Sequence, residues 1–344
     1  MIDVRITQVL PSNTFKLPIF ATVEYLKLKA TNNNFGYFFN DKFALPYFIG
    51  KYLWIKRMKF TEAIISIKGE EENISSQKMF LNEVINLIDK EKIADIVTHP
   101  MAQCLFKTVP DKSEFIEWGS YVLNLESIKT EQDVIKFFPN KFRTAIRKAI
   151  KDGVTVSETN DVKTVHKLIN GTFKRSRSPY SPSYDFLIKI KNDIRDNSKF
   201  YLAKKGNVAV GSLVILFNKQ GASALYSGMA NRSYNCQNLI YFELFKDLIR
   251  LNVKKLDLGG ARLVYRKDSK FAGIQLFKKL MGAELKRGYT FTYDRSKIKK
   301  KIFYIIVRIY LFLKGKKFEG GGLKQTNKLI NEYKSSQDPD IIVL

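Results

Sequence analysis

Residues 200–230, FYLAKKGNVAVGSLVILFNKQGASALYSGMA, decide how the chain is read. Three β-rich runs, Phe200–Lys204, Val208–Asn218 and Ala222–Ala230, are separated by Lys205-Gly206-Asn207 and Lys219-Gln220-Gly221. Short glycine-containing breaks between such runs predict hairpins, so this stretch is an antiparallel meander. Beyond it, periodicity and stop signals predict a helix over Asn238–Leu251, a strand over Lys254–Leu258, a helix over Ser269–Met281 stopped by Gly282, and a strand pair over Glu284–Tyr293. Ahead of it, a strand at Tyr121–Leu125 leads into two short helices and a strand at Val154–Glu158. Helices follow over Asp161–Arg177, capped by Asp161, and over Ser183–Asn197. Further towards the amino terminus, the aromatic and β-branched region Phe35–Phe60 reads as two or three strands joined at Asn40-Asp41 and Gly50. A helix over Ser76–Lys90 and a short strand over Ile93–Thr98 complete the reading.

With 344 residues, 45% of them hydrophobic, and only 9 prolines, the chain supports two packed cores and is not disordered. Lys+Arg 59 against Asp+Glu 33 gives a net charge of +26, which calls for an acidic partner: nucleic acid, anionic lipid or a phosphorylated small molecule. Two cysteines, Cys104 and Cys236, cannot build a disulfide framework. Two histidines, His99 and His166, argue against a histidine-rich metal site or a Ser-His triad, and no metal is expected. A reducing, cytoplasmic setting fits. Residues 1–18 lack a signal-peptide pattern, and no run reaches the roughly 20 apolar residues of a membrane span.

The order strand, two helices, three antiparallel strands, helix, strand, helix, strand resembles the GNAT acyltransferase fold. Three local patterns sharpen it: Lys141–Ala149 (KFRTAIRKA) followed by Gly153-Val154, Asp257-Leu258-Gly259-Gly260 ending a strand, and Gly273-x-x-x-Phe277-Lys278 ahead of Gly282. Together they resemble the Fem-type branch, which contains peptidoglycan-bridge aminoacyltransferases and related amino-sugar acyltransferases. The match covers about Tyr121–Asp294, and the resemblance implies a second, degenerate GNAT-like domain ahead of it. The expected fold class is therefore α/β (α+β), with tandem GNAT-like domains, mixed and largely antiparallel sheets, and a basic, apolar C-terminal helix. The expected divisions are 1–111 for the degenerate domain, 112–294 for the acyltransferase domain and 295–344 for the helical tail.

Acyl transfer to an amine needs a neutral nucleophile, donors for the oxyanion and a proton for the leaving group. The resemblance implies that the fourth strand of the domain, Leu225–Met229, splays from the fifth and offers amides to the acyl carbonyl, with Tyr226, Ser227 and Gly228 at the splay. The alternative for Gly228 is relief of crowding in a twisted strand. Asp257 either accepts the amine proton or caps its own Gly259-Gly260 turn. At about 100° per residue, Lys278 falls with Ile274, Phe277 and Met281 on the apolar stripe, whereas Lys279 points away. Its ammonium serves an oxyanion, a phosphate or a carboxylate, or else snorkels to water. The resemblance places the lysine of the Phe277-Lys278 pair close to the donor. Arg143, Arg147 and Lys151 form a cationic ridge suited to a polyphosphate or RNA, or to a plain solvated face.

In the loop Asn231–Gln237, Arg232 and the following helix start offer an anion site, although the usual coenzyme A pyrophosphate pattern is missing. Cys236 has no histidine nearby in sequence and is not expected to be a nucleophile. The long helical hairpin common to aminoacyl-tRNA-dependent Fem-type enzymes is absent, because Pro179 and Pro182 interrupt Asp161–Asn197. The expected function is an N-acyltransferase with acyl-CoA as donor, modifying an amino group of a cell-envelope glycan or polysaccharide precursor, either an amino-sugar nucleotide or a lipid-linked glycan. The alternatives are an aminoacyl-tRNA-dependent peptidoglycan-bridge aminoacyltransferase, with tRNA as partner, and a non-enzymatic nucleic-acid-binding protein.

Arg295–Lys317 holds nine cations and no acid, flanking or interrupting Ile302–Leu313, where Arg308 is the one polar residue. Twelve helical residues reach about 18 Å, too short to span a bilayer. The segment is expected either to lie on an anionic membrane, with Lys299, Lys300, Lys301, Lys314, Lys316 and Lys317 at headgroups, or to dock on the protein's own surface. The first option makes the protein cytoplasmic and peripheral on the inner face of the cytoplasmic membrane.

Overall fold

In the computed structural model, which describes residues 3–11, 14–176, 178, 181–313, 315 and 322–344, the chain opens with β1 (Arg5–Thr7), α1 (Val23–Lys29), β2 (Phe35–Phe39), β3 (Phe43–Tyr52), β4 (Ile55–Phe60), β5 (Ile65–Ser66), α2 (Ile74–Lys90), β6 (Ile96–Val97) and β7 (Glu114–Asn124). It continues through α3 (Glu131–Phe137), α4 (Asn140–Lys151), β8 (Val154–Glu158), α5 (Val162–Arg175), α6 (Tyr184–Asp193), β9 (Ser198–Lys205), β10 (Val208–Asn218), β11 (Gly221–Met229), α7 (Cys236–Arg250) and β12 (Lys255–Ala261). It closes with β13 (Val264–Arg266), α8 (Lys270–Leu280), β14 (Glu284–Asp294), α9 (Lys297–Leu313), α10 (Gly322–Ser336) and β15 (Ile341–Val343).

Two compact units form, one from residues 1–120, 260–272 and 286–344, the other from 121–259 and 273–285. This differs from the linear division at 111/112 and 294/295. β7, β12 and β14 each leave residues in both units, and local turn signals do not register such crossings.

In the first unit, β1 to β4 are successive antiparallel neighbours; β4 runs parallel to β6, and β14 pairs antiparallel with β6 at Tyr293↔Val97. Phe38, Met58, Phe60, Phe80, Val84 and Phe291 form the main apolar core beneath α2. The α9 side carries a smaller cluster in which Phe303 packs on Ile55 and Ile96. α2 starts at Ile74, two residues before the expected Ser76, because the Asn73 side chain accepts from the Ser76 amide. Gly50 lies inside β3 instead of breaking it, and the reversal falls at Leu53-Trp54, with Leu53 at φ 53°. The expected strand pair over Glu284–Tyr293 is one strand, β14. A Cβ on Gly288 would lie 2.8 Å from the Phe106 carbonyl, so this glycine marks a close backbone approach and not a turn.

In the second unit the meander is present as read: β8, β9, β10 and β11 are antiparallel in sequence order. Leu225 is the extra residue of a bulge, since Val214 pairs with Tyr226 and Ile215 with Ala224. Asp161 caps α5 through the Thr164 amide, as expected. Gly211 lies against Cys236 of α7, whereas Gly228, one position off register with it, lies against Ile169 of α5. Because side chains alternate along a strand, α5 and α7 cover opposite faces of the sheet. On the α7 face, Phe138, Phe142 and Phe245 interlock with ring centroids 4.6 to 4.7 Å apart.

Candidate functional site

β11 and β12 run parallel for two residue pairs, Ala222↔Leu256 and Ser223↔Asp257, and then part. The Leu225 bulge bends one strand at that point, and Gly259, at φ +83°, turns the other. Beyond Ser223, β12 offers β11 no further partner, so the β11 edge opens where the sequence reading expected a splay. The Gly259 N–H donates to Asp257 Oδ1 at 2.6 Å, and the Gly259 carbonyl accepts from Lys278 Nζ at 2.7 Å. One residue at the parting point is thus gripped by a carboxylate and an ammonium.

Lys278 comes from α8, which buries Gln275 and Lys278 while leaving Ile274 and Leu276 half exposed. The buried arc is rotated by about one residue from the apolar stripe: Ile274 is not part of it, and Phe277 packs sideways on Phe142 and Tyr241, each at 5.8 Å between centroids. Lys278 is 8% exposed, with Nζ 5.7 Å from the Tyr121 ring centroid, and the Tyr121 hydroxyl donates to Gln275 Oε1 at 3.2 Å. Burial pushes the Lys278 pKa down to about 8, against the raising pull of the Asp257 carboxylate. A lysine so poised gives or takes a proton near neutral pH. Lys279 is exposed.

The other sequence-predicted residues divide by surroundings. Asp257 has the turn-capping geometry through its bond to Gly259. Tyr226 packs against Phe173 and Phe186, each at 6.4 Å, and burial raises its hydroxyl to about 12; the structure places it with α5 and α6, not around Lys278. A Cβ on Gly228 would fall 2.5 Å from the Ile169 amide nitrogen, so this glycine admits the α5 backbone, the crowding alternative. Ser227 alternates with Gly228 and lies on the α7 face, the side to which Phe277 brings α8.

Gly260, within the first unit, abuts Ala102 and Trp118, and the Trp118 Nε1–H donates to the Ala102 carbonyl at 2.8 Å. Arg143 is half-buried and donates to Asn140 Oδ1 at 3.0 Å, with its Nε buried and unpartnered; Arg147 is exposed on the same ridge. Arg232 lies 4.6 Å from the Tyr234 ring centroid and Lys205 lies 4.0 Å from it. The Cys236 and Asn238 amides donate back to the Ser233 and Asn235 carbonyls, so the start of α7 is partly satisfied by its own loop. Cys236 is buried, donates to the Val210 carbonyl at 3.4 Å and is pushed up to about 12, which leaves no thiolate at neutral pH.

Two features escaped sequence reasoning. Gln237, buried at the start of α7, donates through Nε2 to the Ser212 and Gly228 carbonyls at 3.2 and 3.0 Å and ties β10 and β11 to that helix. In the first unit, Lys29, Lys59 and His99 form a half-buried basic group. Burial, then Lys59, bring Lys29 down to about 8. Burial, then Lys59, Lys300 and Arg262, bring His99 down to about 4. His99 Nδ1 lies 3.3 Å from Thr290 Oγ1, and its Nε2 is buried without a partner. These residues come from separate elements, and no local motif links them. Among the described residues, no group of three or more His, Cys, Asp or Glu is placed to hold a metal ion.

No protein-family model and no curated protein sequence matches the chain. Solved structures do. FemX aligns over 82% of this chain and 93% of its own with a TM-score of 0.59 at 13% identity. A conserved protein of unknown function from Bacteroides thetaiotaomicron aligns over 80% and 90% with a TM-score of 0.50 at 12% identity. A tandem GNAT protein from the clavulanic acid biosynthesis pathway aligns over 74% and 79% with a TM-score of 0.43 at 11% identity. A mixed, largely antiparallel set of strands in each unit, an opened strand pair in the second unit and the alignment to FemX along most of both chains agree, and the chain has the Fem-type, GNAT-like fold.

Proposed function

We propose that the chain is an N-acyltransferase whose chemistry takes place in the second unit. The observation that carries this reading is the parting of β11 from β12 beside a buried lysine whose pKa lies near 8. The open β11 edge presents backbone amides to the carbonyl oxygen of an acyl donor, and these stabilise the oxyanion as an amine attacks. The C–N bond forms, and the bond from the acyl carbon to the leaving atom breaks. The Lys278 ammonium protonates the departing atom, and the resulting neutral amine takes the proton lost by the attacking nitrogen. The proposed donor is a thioester such as acyl-coenzyme A, whose leaving thiol lies close enough to Lys278 in pKa for the proton to pass between them without a large energy step. Asp257 acts as a positioning residue: it holds the Gly259 turn and keeps the ammonium from losing its proton too early.

The proposed acceptor is an amino group on a cell-envelope glycan or polysaccharide precursor. The similarity in fold to FemX and the cationic Arg143–Arg147 ridge, suited to a nucleotide or lipid-linked diphosphate, support this class. The test is incubation of the purified chain with amino-sugar nucleotides and either acetyl-coenzyme A or charged tRNA, followed by mass spectrometry. Acylated product with the thioester, lost in Lys278→Ala and retained in Lys279→Ala, is expected. Transfer from tRNA alone would replace the donor. Equal activity of the two variants would remove Lys278 from the chemistry.

A further inference from the structure

α9 has two faces of opposite use. Phe303 and Leu311 are buried, Ile302, Tyr304 and Val307 are half-buried against Ile55 and Ile96, and the helix base is pinned by ion pairs. Arg295 and Lys299 reach the buried Asp95 carboxylate at 2.6 and 2.9 Å, and Lys300 pairs with Asp294. Burial alone would raise Asp95, yet the Lys56 amide and these two cations hold it below the usual carboxylate range, so the pairing is firm. The helix is therefore docked, as one of the two sequence expectations had it.

Among the described residues, none covers its outer face. At 100° per residue, Ile298, Ile305, Ile309, Phe312 and Leu313 fall within about a quarter turn of one another. All five are more than half exposed, Phe312 at 81%. Lys297, Lys301 and Arg308, also exposed, border the stripe along its other side. A soluble surface rarely leaves so many large apolar side chains in one line, and such a line marks an interaction surface. The bordering cations select the occupant. A second copy of this chain, itself at +26, would bring like charges against Lys297, Lys301 and Arg308. An anionic lipid leaflet satisfies both halves of the face at once, with acyl chains for the isoleucines and phenylalanine and headgroup phosphates for the cations. Among the described residues, no helix is long and apolar enough to cross a membrane. The sequence expectation that Lys299 and Lys300 reach headgroups is corrected, since both are engaged by carboxylates. Lys314, Lys316 and Lys317 lie outside the described residues.

We infer that the outer face of α9, centred on Ile305 and Phe312 and bordered by Lys297 and Lys301, is a docking surface for anionic membrane. This stands whether or not the second unit transfers acyl groups. The test uses the full chain and two vesicle preparations, phosphatidylglycerol with phosphatidylcholine in equal parts and phosphatidylcholine alone, at 0.1 M salt. Co-sedimentation is expected with the first and not with the second. Ile305→Glu with Phe312→Glu is expected to lower partitioning at least tenfold. Each cation near an anionic leaflet contributes about fivefold, so Lys297→Ser with Lys301→Ser is expected to lower it about twenty-fivefold. All four positions are exposed, and unchanged circular dichroism checks the fold; Phe312→Ser alone serves if the double variant misfolds. Unchanged vesicle binding by the glutamate and serine variants would overturn the inference. So would equal binding to neutral vesicles, or a wild-type dimer that ignores vesicles and dissociates on the glutamate substitutions.

Discussion

Replacing Lys278 by Met separates the cost of burying its charge from the use of that charge. The fall of the Lys278 pKa from 10.5 to about 8 corresponds to about 3 kcal/mol by which folding disfavours the ammonium. Met removes that term but leaves the Gly259 carbonyl without its 2.7 Å donor, a loss of about 1–2 kcal/mol. The variant is therefore expected to be more stable than the wild type by about 1–2 kcal/mol at pH 7. The pH dependence is the sharper test. Between pH 8 and 10.5 the unfolded lysine still holds its proton and the folded one has lost it. The unfolded state then binds more protons, and wild-type stability rises with pH by up to about 1.4 kcal/mol per pH unit. Met has no such gain, so its advantage is present below pH 8 and shrinks by about 2 kcal/mol at pH 9.5; all other titrations cancel in the difference. Urea unfolding of both proteins at pH 7 and 9.5 measures this. Circular dichroism is the suitable probe, because Trp54 and Trp118 both belong to the first unit. A stability difference that stays constant within about 0.5 kcal/mol between the two pH values would refute the buried-ammonium argument.

Acyl transfer from a thioester should weaken as pH rises through about 8, where Lys278 loses the proton it gives to the leaving thiolate, and the falling limb should vanish from the residual activity of Lys278→Met. Gly228→Ala should cost about 1–3 kcal/mol in urea unfolding, because a Cβ there meets α5 backbone atoms 2.5 and 2.6 Å away. Gly259→Ala meets open space but a φ of +83°, so about 1 kcal/mol of stability and a disproportionate loss of turnover are expected. His99, held down to about 4, favours the unfolded state as acid protonates it. Its contribution is whole above pH 6.5 and is lost as pH falls towards 4, and His99→Gln should flatten that part of the acid unfolding curve.

The second unit was legible because its signals are local. Hairpin breaks at Gly206 and Gly221, the Asp161 cap and the apolar positions Phe142, Ile146 and Ala149 of α4 each declare an element within a few residues. The glycine chemistry was harder to read. Gly50 and Gly288 look like punctuation in sequence, yet both sit inside strands, and at Gly288 the cause is a neighbouring backbone from far along the chain. The candidate site was half visible. The Asp257-Leu258-Gly259-Gly260 run and Lys278 were identifiable, but the rotation of α8 that buries Gln275 beside Lys278 depends on what packs around it and not on its own periodicity. Lys29, Lys59 and His99 meet only through tertiary structure, and no windowed reading brings them together.

The order in which the units are threaded bears on how the protein is made. The second unit has all its residues once position 285 has been synthesised. The first has been waiting since position 120 for segments that come later: Val264–Arg266 finds its strand partner only at Ile341–Val343, and Ile55 and Ile96 are covered only when Phe303 arrives. The nascent chain therefore leaves Ile55 and Ile96 bare until the last segments arrive, while the later-encoded unit closes first. Cutting after Asp294 removes a structural side of the first unit and does not merely trim a tail. A ribosome stalled between codons 295 and 340 presents a sticky intermediate, which is where chaperone engagement should concentrate.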